Sequence, residues 1–407
     1  MTRLVVVGAS LAGLHAAVAA RRAGFEGDIS LVGDEPHYPY DRPPLSKNYL
    51  AGTIEAEALR LRPAADPAET GVDWELGRTA TGFEPSPDGG GTVTLDDGRR
   101  LAGDGVVIAT GCRVRTLPGT DRLAGVHVIR TLDNATALRA ALADGPRRVV
   151  VIGCGFIGGE VAATARQAGH DVTIVEAASA PLQRVLDTES GLAVAELHRS
   201  HGVEVHLGVG VARLDDADGV VRTVVLDDGT ELAADVVVIG IGVVPNTEWL
   251  ADSGLLLDDG VVTDAYCVAA PGVVAAGDVA RWPHRGSGEA LTRIEQWDNA
   301  VEMGRYVGTR LVHLLTGDGA EEAEPFDPVP WFWSDQYDRK IQLAGAAADG
   351  HETVQGTVAE QRFVRLFLDD GGRVTGTLCW NRPRQAILAR RLLATGADAD
   401  EFRQKLA

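Results

Sequence analysis

Three features of the sequence predict an α/β fold with two repeated units and a smaller C-terminal α+β domain. The stretch VVVGASLAGLHAAVAARRAG at positions 5–24 aligns without a gap with VVIGCGFIGGEVAATARQAG at positions 150–169, at a constant offset of 145. A second pair, LDDGRRLAGDGVVIATG at 95–111 and LDDGTELAADVVVIGIG at 226–242, aligns at an offset of 131. From about residue 326 the pattern changes to strand-like alternation followed by one helix.

Each repeated unit has the order strand, turn, helix, hairpin, strand. The first stretch of each pair is an apolar run, a glycine-rich turn and an alanine-rich helix. The second stretch has a hairpin turn at Asp-Gly and then a buried strand that ends in small residues. Because this order is typical of a nucleotide-binding parallel sheet, we expect two Rossmann-like dinucleotide-binding domains.

Composition and charge exclude several classes of protein. The chain has 407 residues and a net charge of −20, from 38 basic and 58 acidic residues, which argues against a non-specific binder of nucleic acid or anionic membranes. We find no secretory signal and no apolar run of membrane-spanning length, and therefore expect a soluble, cytoplasmic protein. The four cysteines are scattered, so we expect buried thiols and no metal site.

The second copy carries the complete G-x-G-x-x-G motif. The first glycine makes the turn, the second lets a diphosphate approach the backbone, and the third lets the helix pack on the strand. The next strand, DVTIVEAA, ends in Glu176, whose carboxylate would accept hydrogen bonds from an adenosine ribose and repel a 2′-phosphate, which favours NADH over NADPH. The predicted NAD site consists of Gly153, Gly155, Phe156, Ile157, Gly158, Glu160, Glu176, Gly240 and Ile241.

The first copy departs from the motif at one position. Ser10 replaces the middle glycine, but a serine is small and its hydroxyl can donate to a phosphate. The following strand, DISLVGDE, again ends in acids, Asp34 and Glu35. Two dinucleotide sites in one chain most simply serve hydride transfer from one cofactor to the other.

At this point the sequence resembles the FAD-dependent pyridine nucleotide oxidoreductases, in their ferredoxin-reductase branch. The resemblance covers the whole chain and rests on GASLAG, YDRPPLSKNYLAG, VVIATG, RTLDNA, GCGFIGGEVAA, IGIGVVPNT, GVVAAGDVA, RIEQWDNA and WFWSDQY. It implies a glutathione-reductase-like fold. The implied domains are an FAD-binding domain at 1–112 and 238–318, an NAD-binding domain at 113–237, and a C-terminal α+β domain at 326–407.

The resemblance also implies the residues that bind FAD. The pyrophosphate would lie on the first glycine-rich turn, with Asp34 on the adenosine ribose. Thr81 and Arg130 would contact the adenine and phosphates, Asp278 the ribitol, and Trp297 and Trp333 the isoalloxazine. The implied FAD site consists of Gly8, Ser10, Ala12, Gly13, Asp34, Arg42, Lys47, Thr81, Ala109, Thr110, Gly111, Arg130, Asp278, Trp297 and Trp333.

The stretch YDRPPLSKNYL indicates the type of reaction. The disulfide-reductase branch of this fold has a redox-active cysteine here, whereas this chain has no cysteine before Cys112. Electrons would therefore leave the flavin directly. The resemblance implies that Lys47 contacts the flavin and that Glu160 pairs with this lysine, so these two are the candidate catalytic residues. His15 stands where the second copy has Glu160, and we expect it to be a packing residue.

Taken together, the sequence predicts an NADH-dependent FAD enzyme of the ferredoxin–NAD(+) reductase class, a monomer or weak dimer without a redox-active disulfide. It would pass single electrons to a [2Fe–2S] ferredoxin that serves a monooxygenase or dioxygenase. A rubredoxin reductase, an NADH diaphorase or oxidase, and a non-turnover redox sensor remain alternatives. Since ferredoxins are usually acidic, cationic residues are expected at the docking surface, with candidates Arg305, Arg310, Arg339, Lys340, Arg382 and Arg384.

Overall fold

The computed structural model describes residues 2–62, 70–318 and 323–407, and these divide into two compact units. Unit 1 comprises Met1–Asp41, Leu59–Arg113 and Val244–Pro330, and unit 2 comprises Arg42–Ala58, Val114–Val243 and Trp331–Ala407. Residues 1, 63–69 and 319–322 lie outside the described residues. The finer domain boundaries predicted above remain a prediction.

The elements are numbered here in chain order. The strands are β1 Arg3–Val7, β2 Asp28–Gly33, β3 Asp73–Leu76, β4 Ala80–Pro85, β5 Gly91–Leu95, β6 Arg100–Gly103, β7 Gly105–Ile108, β8 Cys112–Val114, β9 Val126–His127, β10 Arg148–Ile152, β11 Asp171–Glu176, β12 Glu204–Leu207, β13 Val211–Ala217, β14 Val220–Leu226, β15 Glu231–Ala233, β16 Val236–Ile239, β17 Val243–Pro245, β18 Val261–Val262, β19 Val268–Ala270, β20 Val273–Ala275, β21 Ala280–His284, β22 Ala290–Thr292, β23 Trp331–Gln336, β24 Arg339–Gly345, β25 Gly350–Thr357, β26 Arg362–Leu368 and β27 Val374–Trp380. The α-helices are α1 Leu11–Arg22, α2 Leu132–Ala141, α3 Phe156–Gln167, α4 Thr188–Ser200, α5 Trp297–Thr316, α6 Pro383–Ala394 and α7 Ala399–Leu406.

Unit 1 is built on a six-stranded sheet of order β19-β20-β7-β1-β2-β3, in which β20, β7, β1, β2 and β3 run parallel. The strands β1, β2, β7 and β20 are mainly apolar and buried, as expected of a covered parallel sheet. The helices α1 and α5 pack closely at Gly304 and Gly308, which lie one turn apart on α5 and have no side chain. A Cβ on either would lie 2.4 or 2.2 Å from a carbonyl oxygen of α1. Two small sheets, β4-β5-β6 and β18-β21-β22, complete the unit.

Unit 2 contains a second parallel sheet, of order β12-β11-β10-β16-β9, and a small antiparallel sheet, β13-β14-β15. The strands β10 and β16 and the helix α3 repeat β1, β7 and α1. Both ends of β10 and α3 lie 145 residues after those of β1 and α1, and both ends of β16 lie 131 residues after those of β7. The α/β fold with two repeated dinucleotide-binding units is therefore confirmed.

The rest of unit 2 is a five-stranded sheet of order β23-β24-β27-β26-β25, in which every pair is antiparallel, together with α6 and α7. Apolar side chains on these two helices, such as Phe402 and Leu406, pack against one face of the sheet. The turn between β26 and β27 falls at Asp369–Gly372, where the Gly372 N–H donates to the carbonyl oxygen of Asp369 at 2.8 Å. The C-terminal α+β domain is thus confirmed.

Two further observations concern the chain as a whole. Within residues 2–62, 70–318 and 323–407, no helix is long and apolar enough to cross a membrane. The four cysteines Cys112, Cys154, Cys267 and Cys379 are all buried, as the sequence predicted. Burial raises the pKa of the Cys154 thiol to about 12, so this cysteine is a neutral packing residue at physiological pH.

Candidate functional site

The glycine-rich turn of unit 1 joins β1 to α1. Gly8 has a φ of +123°, and a Cβ there would lie 2.0 Å from the carbonyl oxygen of Ala109, at the end of β7. A Cβ on Gly13 would lie 2.0 Å from the carbonyl oxygen of Gly8, so the helix needs a glycine to approach the turn. Ser10 is the N-cap residue of α1. The first turn of this helix therefore directs its backbone N–H groups out of the end of the sheet, which suits a phosphate.

The turn of unit 2 has the same construction between β10 and α3. Gly153 has a φ of +97°, and its Cβ would lie 2.4 Å from the carbonyl oxygen of Gly240, at the end of β16. A Cβ on Gly158 would lie 2.1 Å from the carbonyl oxygen of Gly153. In contrast, a Cβ on Gly155, the N-cap of α3, meets no atom within 4 Å. The middle glycine thus borders open space at a helix N-terminus, where a diphosphate fits.

The remaining predicted NAD residues of unit 2 border the same turn. Ile157 is exposed on the first turn of α3, with 44% of its surface accessible, and Ile241 follows Gly240 and is half-buried. Phe156 instead packs against the C-terminal sheet: its ring centroid lies 4.2 Å from that of Phe332 on β23.

The acidic residues at the ends of β2 and β11 lie in different places. The Glu176 carboxylate accepts hydrogen bonds from the backbone N–H groups of Cys154, at 2.7 Å, and Ala178, at 2.9 Å, and so lies directly beside the turn. When the pairing of β1 with β2 is compared with that of β10 with β11, Gly33 is the residue of unit 1 that is equivalent to Glu176. Asp34 lies one residue further and is exposed, while Glu35 accepts a hydrogen bond of 2.5 Å from the Tyr40 hydroxyl.

The two candidate catalytic residues form an ion pair inside unit 2. Lys47 Nζ lies 2.8 Å from Glu160 Oε2, and the Glu160 side chain is only 3% exposed. Two serine hydroxyls complete the surroundings of this carboxylate: Ser46 donates to Oε2 at 2.5 Å and Ser334 donates to Oε1 at 2.8 Å. A buried carboxylate is costly unless it is paired and hydrogen-bonded, and each oxygen of Glu160 has a donor.

A short 3-10 helix positions Lys47. It spans Pro43–Ser46, with prolines in its first turn, and Lys47 follows it directly. The Thr164 hydroxyl of α3 donates to the carbonyl oxygen of Ser46 at 2.8 Å, which fixes the segment against the helix that carries Glu160. Lys47 and Glu160 are 113 positions apart in the sequence, and the structure brings them into contact.

The remaining predicted FAD residues lie in both units. In unit 1, Thr110 Oγ1 donates to the carbonyl oxygen of Asn246 at 2.8 Å, Trp297 Nε1 donates to Asp41 Oδ1 at 2.6 Å, and Asp278 lies in a short helix spanning Gly277–Val279. Thr81 is exposed on β4, Gly111 follows Thr110 with a φ of +61°, and Ala12 packs against Gly277. In unit 2, Arg42 donates to the carbonyl oxygen of Arg130 at 2.5 Å, and Trp333 is half-buried on β23.

Several residues of these sites were not predicted from the sequence. Asp41, which holds the Trp297 indole, and the two serines beside Glu160 are the most direct. Ser46 could have been found from its position next to Lys47. Asp41 and Ser334 lie 256 and 174 residues from their partners, and no local pattern signals those contacts.

The two parallel sheets, with glycine-rich turns directly after β1 and β10, define an oxidoreductase with two dinucleotide cofactors. Comparison with known proteins agrees. Residues 2–304 match the family described as Pyridine nucleotide-disulphide oxidoreductase, and residues 331–405 match the family described as Reductase C-terminal. The chain belongs to the pyridine nucleotide-disulphide oxidoreductase family. FAD and NAD(H) are its cofactors, as the sequence predicted.

Relatives of known name are similar over almost the full chain. A protein named rhodocoxin reductase, from Rhodococcus erythropolis, is 40% identical over 396 residues, which are 96% of this chain and 89% of the relative. The ferredoxin–NAD(+) reductase component of a p-cumate 2,3-dioxygenase system, from Pseudomonas putida, is 37% identical over 99% of this chain and 96% of the relative.

Two solved structures match the full length of this chain. The covalent complex of putidaredoxin reductase with putidaredoxin contains a chain that is 34% identical to this one. It matches with a TM-score of 0.90 over 100% of this chain and 98% of that one. The ferredoxin reductase for the CYP199A2 system of Rhodopseudomonas palustris has 33% identity and a TM-score of 0.89, over 100% of both chains.

Proposed function

We propose that the protein is an NADH-dependent flavoprotein reductase that delivers electrons to a ferredoxin. We further propose that the ferredoxin is of the [2Fe–2S] type and serves a monooxygenase or dioxygenase. The reductase is proposed to work in the cytoplasm as a monomer or weak dimer. The observation that carries the proposal is the ion pair between Lys47 and the buried Glu160 carboxylate. Lys47 directly follows the short helix Pro43–Ser46, which contains no cysteine. The names of the relatives support a ferredoxin as acceptor.

The residues of unit 1 are proposed to bind FAD. The turn from Gly8 to Gly13 would hold the pyrophosphate on backbone N–H groups, with Ala109, Thr110 and Gly111 at the end of the adjacent strand. Asp278 would bind the ribitol, and Asp34 the adenosine ribose. When bound, FAD accepts a hydride from NADH and passes the electrons on one at a time. The fixed position of the Trp297 indole, set by Asp41, makes it a rigid wall for a planar ring.

Replacing Gly8 by alanine should abolish stable FAD binding. The new Cβ would lie 2.0 Å from a backbone oxygen, so strand and turn must move apart, and the φ of +123° adds strain. The FAD-to-protein ratio of the purified protein measures the effect. Gly24→Ala is the matched control, because its φ is also positive, at +89°, but its Cβ meets no atom within 4 Å. We expect this control to keep its FAD and to lose about 1–2 kcal/mol of stability. Full FAD content in the Gly8→Ala variant would contradict the assignment.

The residues of unit 2 are proposed to bind NADH. The diphosphate would lie on the N-terminus of α3 beside Gly155, and Glu176 would face the adenosine ribose. Its two backbone hydrogen bonds keep this carboxylate beside the turn, where it would repel the 2′-phosphate of NADPH.

Replacing Glu176 by serine should shift the preference towards NADPH. We expect kcat/KM for NADPH to rise about tenfold and that for NADH to fall by a similar factor, since a repulsive charge and a ribose acceptor are both lost. Steady-state kinetics with both nucleotides measure the ratio. Glu204→Ser, on the neighbouring strand β12, removes an exposed charge of the same sign and should leave the ratio unchanged. An unchanged ratio in Glu176→Ser would show that another residue selects the nucleotide.

Docking of an acidic ferredoxin is proposed to involve some of the six cationic candidates. In unit 2, Arg339 and Lys340 already form ion pairs of 2.5 Å with Asp338 and Asp335, whereas Arg384 is exposed on the first turn of α6. The KM for ferredoxin should therefore increase with ionic strength, because salt screens the attraction between opposite charges. A KM that is independent of salt from low to high ionic strength would argue against a charged docking surface.

The proposed function is tested by NADH-dependent reduction of cytochrome c, with and without a [2Fe–2S] ferredoxin. Strong dependence on the ferredoxin is the expected result. If electrons pass to a rubredoxin but to no member of a ferredoxin panel, the protein is a rubredoxin reductase. If they pass mainly to oxygen or quinones, it is a diaphorase or oxidase. Slow flavin reduction with long-lived NADH complexes would indicate a redox sensor.

A further inference from the structure

The carboxylate of Glu160 lies at one end of a chain of buried polar side chains within unit 2. Ser334 Oγ, on β23, donates to Glu160 Oε1 at 2.8 Å, and Gln336 Nε2 donates to Ser334 Oγ at 3.2 Å. Beyond the amide, Gln336 Oε1 lies 3.0 Å from Nε2 of His198 on α4. The other ring nitrogen, Nδ1, lies 3.1 Å from the Tyr337 hydroxyl.

The chemistry of these groups fixes which group donates and which accepts in each of these hydrogen bonds. A carboxylate only accepts, so Ser334 must point its single proton at Glu160, and its oxygen must then accept from the Gln336 amide. The Gln336 carbonyl oxygen is left to face His198, which must therefore carry its proton on Nε2. His198 Nδ1 then accepts from the Tyr337 hydroxyl. In the reverse arrangement, the Gln336 and Glu160 oxygens would both need the one proton of Ser334.

Two further observations support this arrangement. Burial lowers the pKa of His198 to about 4, so the ring is neutral at physiological pH and one nitrogen can accept. Gly159 lies next to Glu160 on α3, and a Cβ there would be 2.8 Å from Gln336 Nε2. The glycine that follows the G-x-G-x-x-G motif therefore leaves the space that the Gln336 amide occupies.

We propose that His198 and Gln336 are positioning residues, which act through Ser334 to fix the Glu160 carboxylate that pairs with Lys47. The inference rests on the proposed function, in which Lys47 and Glu160 are the candidate catalytic residues beside the flavin and the nicotinamide. His198 holds the Gln336 amide in one orientation, and this orientation leaves the Ser334 proton for Glu160. Without the histidine donor, the amide can rotate and take the Ser334 proton, so that Glu160 Oε1 loses its partner.

The first test reads the tautomer of His198 directly and does not depend on turnover. The FAD-loaded protein is labelled with ¹⁵N-histidine, and long-range ¹⁵N–¹H spectra of the rings are recorded at neutral pH. His198→Gln identifies the signals by their loss. We expect a neutral ring with its proton on Nε2. A proton on Nδ1, or a doubly protonated ring, would overturn the inference.

The second test measures flavin reduction by NADH in a rapid-mixing experiment. His198→Leu should slow it about threefold to tenfold, whereas His198→Gln, which keeps a donor for Gln336, should stay within about twofold of wild type. Thr377→Val, which removes another buried hydroxyl from the same sheet, is the control and should have no effect. If His198→Leu does not fold, Ser334→Ala replaces it, with the same slowing expected.

The outcomes separate this inference from the proposed function. If Lys47→Met slows flavin reduction but correctly folded His198→Leu and Ser334→Ala do not, the positioning role is wrong and the ion pair stands. If Lys47→Met is without effect, the proposed role of the Lys47–Glu160 pair is wrong. The tautomer spectrum then still tests whether the hydrogen bonds from Tyr337 to Glu160 run in the inferred direction.

Discussion

Replacing Lys47 by methionine should slow the reduction of bound flavin by NADH about 100-fold, while the FAD content stays near that of the wild type. The Lys47 ammonium group pairs with Glu160 in the candidate site, and only 18% of the side chain is exposed, so it is largely shielded from water. A fixed positive charge stabilises the negative charge that the flavin acquires on reduction, and it acts most strongly where water is excluded. Methionine keeps the length of the side chain and removes the charge.

The measurement is the rate of flavin bleaching after rapid mixing with excess NADH, together with the FAD-to-protein ratio. The substitution leaves Glu160 buried beside two serine hydroxyls but without its cation, which also lowers stability. The double variant Lys47→Met/Glu160→Gln removes both charges and should recover much of this stability without recovering the rate. Lys340→Met, at an exposed ion pair, is the control for loss of a lysine. A rate equal to wild type in Lys47→Met would show that the lysine has no electrostatic role.

The fold could be predicted from the sequence because the duplication is local and ungapped. The tight turns at Gly8 and Gly153 need glycine for reasons that act within one β-α unit, namely positive φ and close approach of a neighbouring carbonyl. The same offset of 145 therefore reproduces both β1 and α1 in β10 and α3 to the residue. Where the physical reason for a residue is local, the structure around it can be predicted from the sequence.

The candidate site was predictable only in part, because its hydrogen bonds join distant segments. Lys47 and Glu160 were paired through the family resemblance, and the structure confirms that they are in contact. Ser334, Gln336 and His198 come from two other elements, and serine, glutamine and histidine at those positions carry no local pattern. Glu176 and Asp34 show a subtler limit. The two acids follow similar strand sequences, but the strand register makes Gly33, not Asp34, the residue of unit 1 that is equivalent to Glu176.

Arg365 gives the largest expected effect on stability. It lies on β26 with 4% of its side chain exposed, and its guanidinium group binds Asp187 Oδ1 and Glu189 Oε2, each at 2.7 Å. Asp187 is also the N-cap of α4, where it accepts a hydrogen bond from the Ser190 backbone N–H at 2.9 Å. One buried cation therefore joins the C-terminal sheet to the start of the helix that carries His198.

Replacing Arg365 by alanine should lower the free energy of unfolding by about 3–5 kcal/mol, because it leaves the buried Asp187 carboxylate without its cation. Burial alone raises the pKa of Asp187, but hydrogen bonds from Ser190 and the charge of Arg365 outweigh it and leave the pKa below its ordinary value. In the wild type this carboxylate therefore stabilises the fold at neutral pH, and the contribution is lost as the pH falls through the lowered pKa. The variant should keep less of this acid-sensitive stability.

Thermal and urea unfolding at pH 7 and at acidic pH measure the effect. Arg403→Ala is the matched control: its guanidinium also binds two carboxylates, Glu352 and Asp400, but 44% of its side chain is exposed. Water already screens these two ion pairs, so we expect a much smaller loss than for Arg365→Ala. Charge, residue type and number of carboxylate partners are the same at both positions, whereas Arg365 is buried and also donates to the Ser190 and Thr353 hydroxyls. Equal losses for the two variants would mean that the position of Arg365 in the interior adds nothing to the strength of its ion pairs.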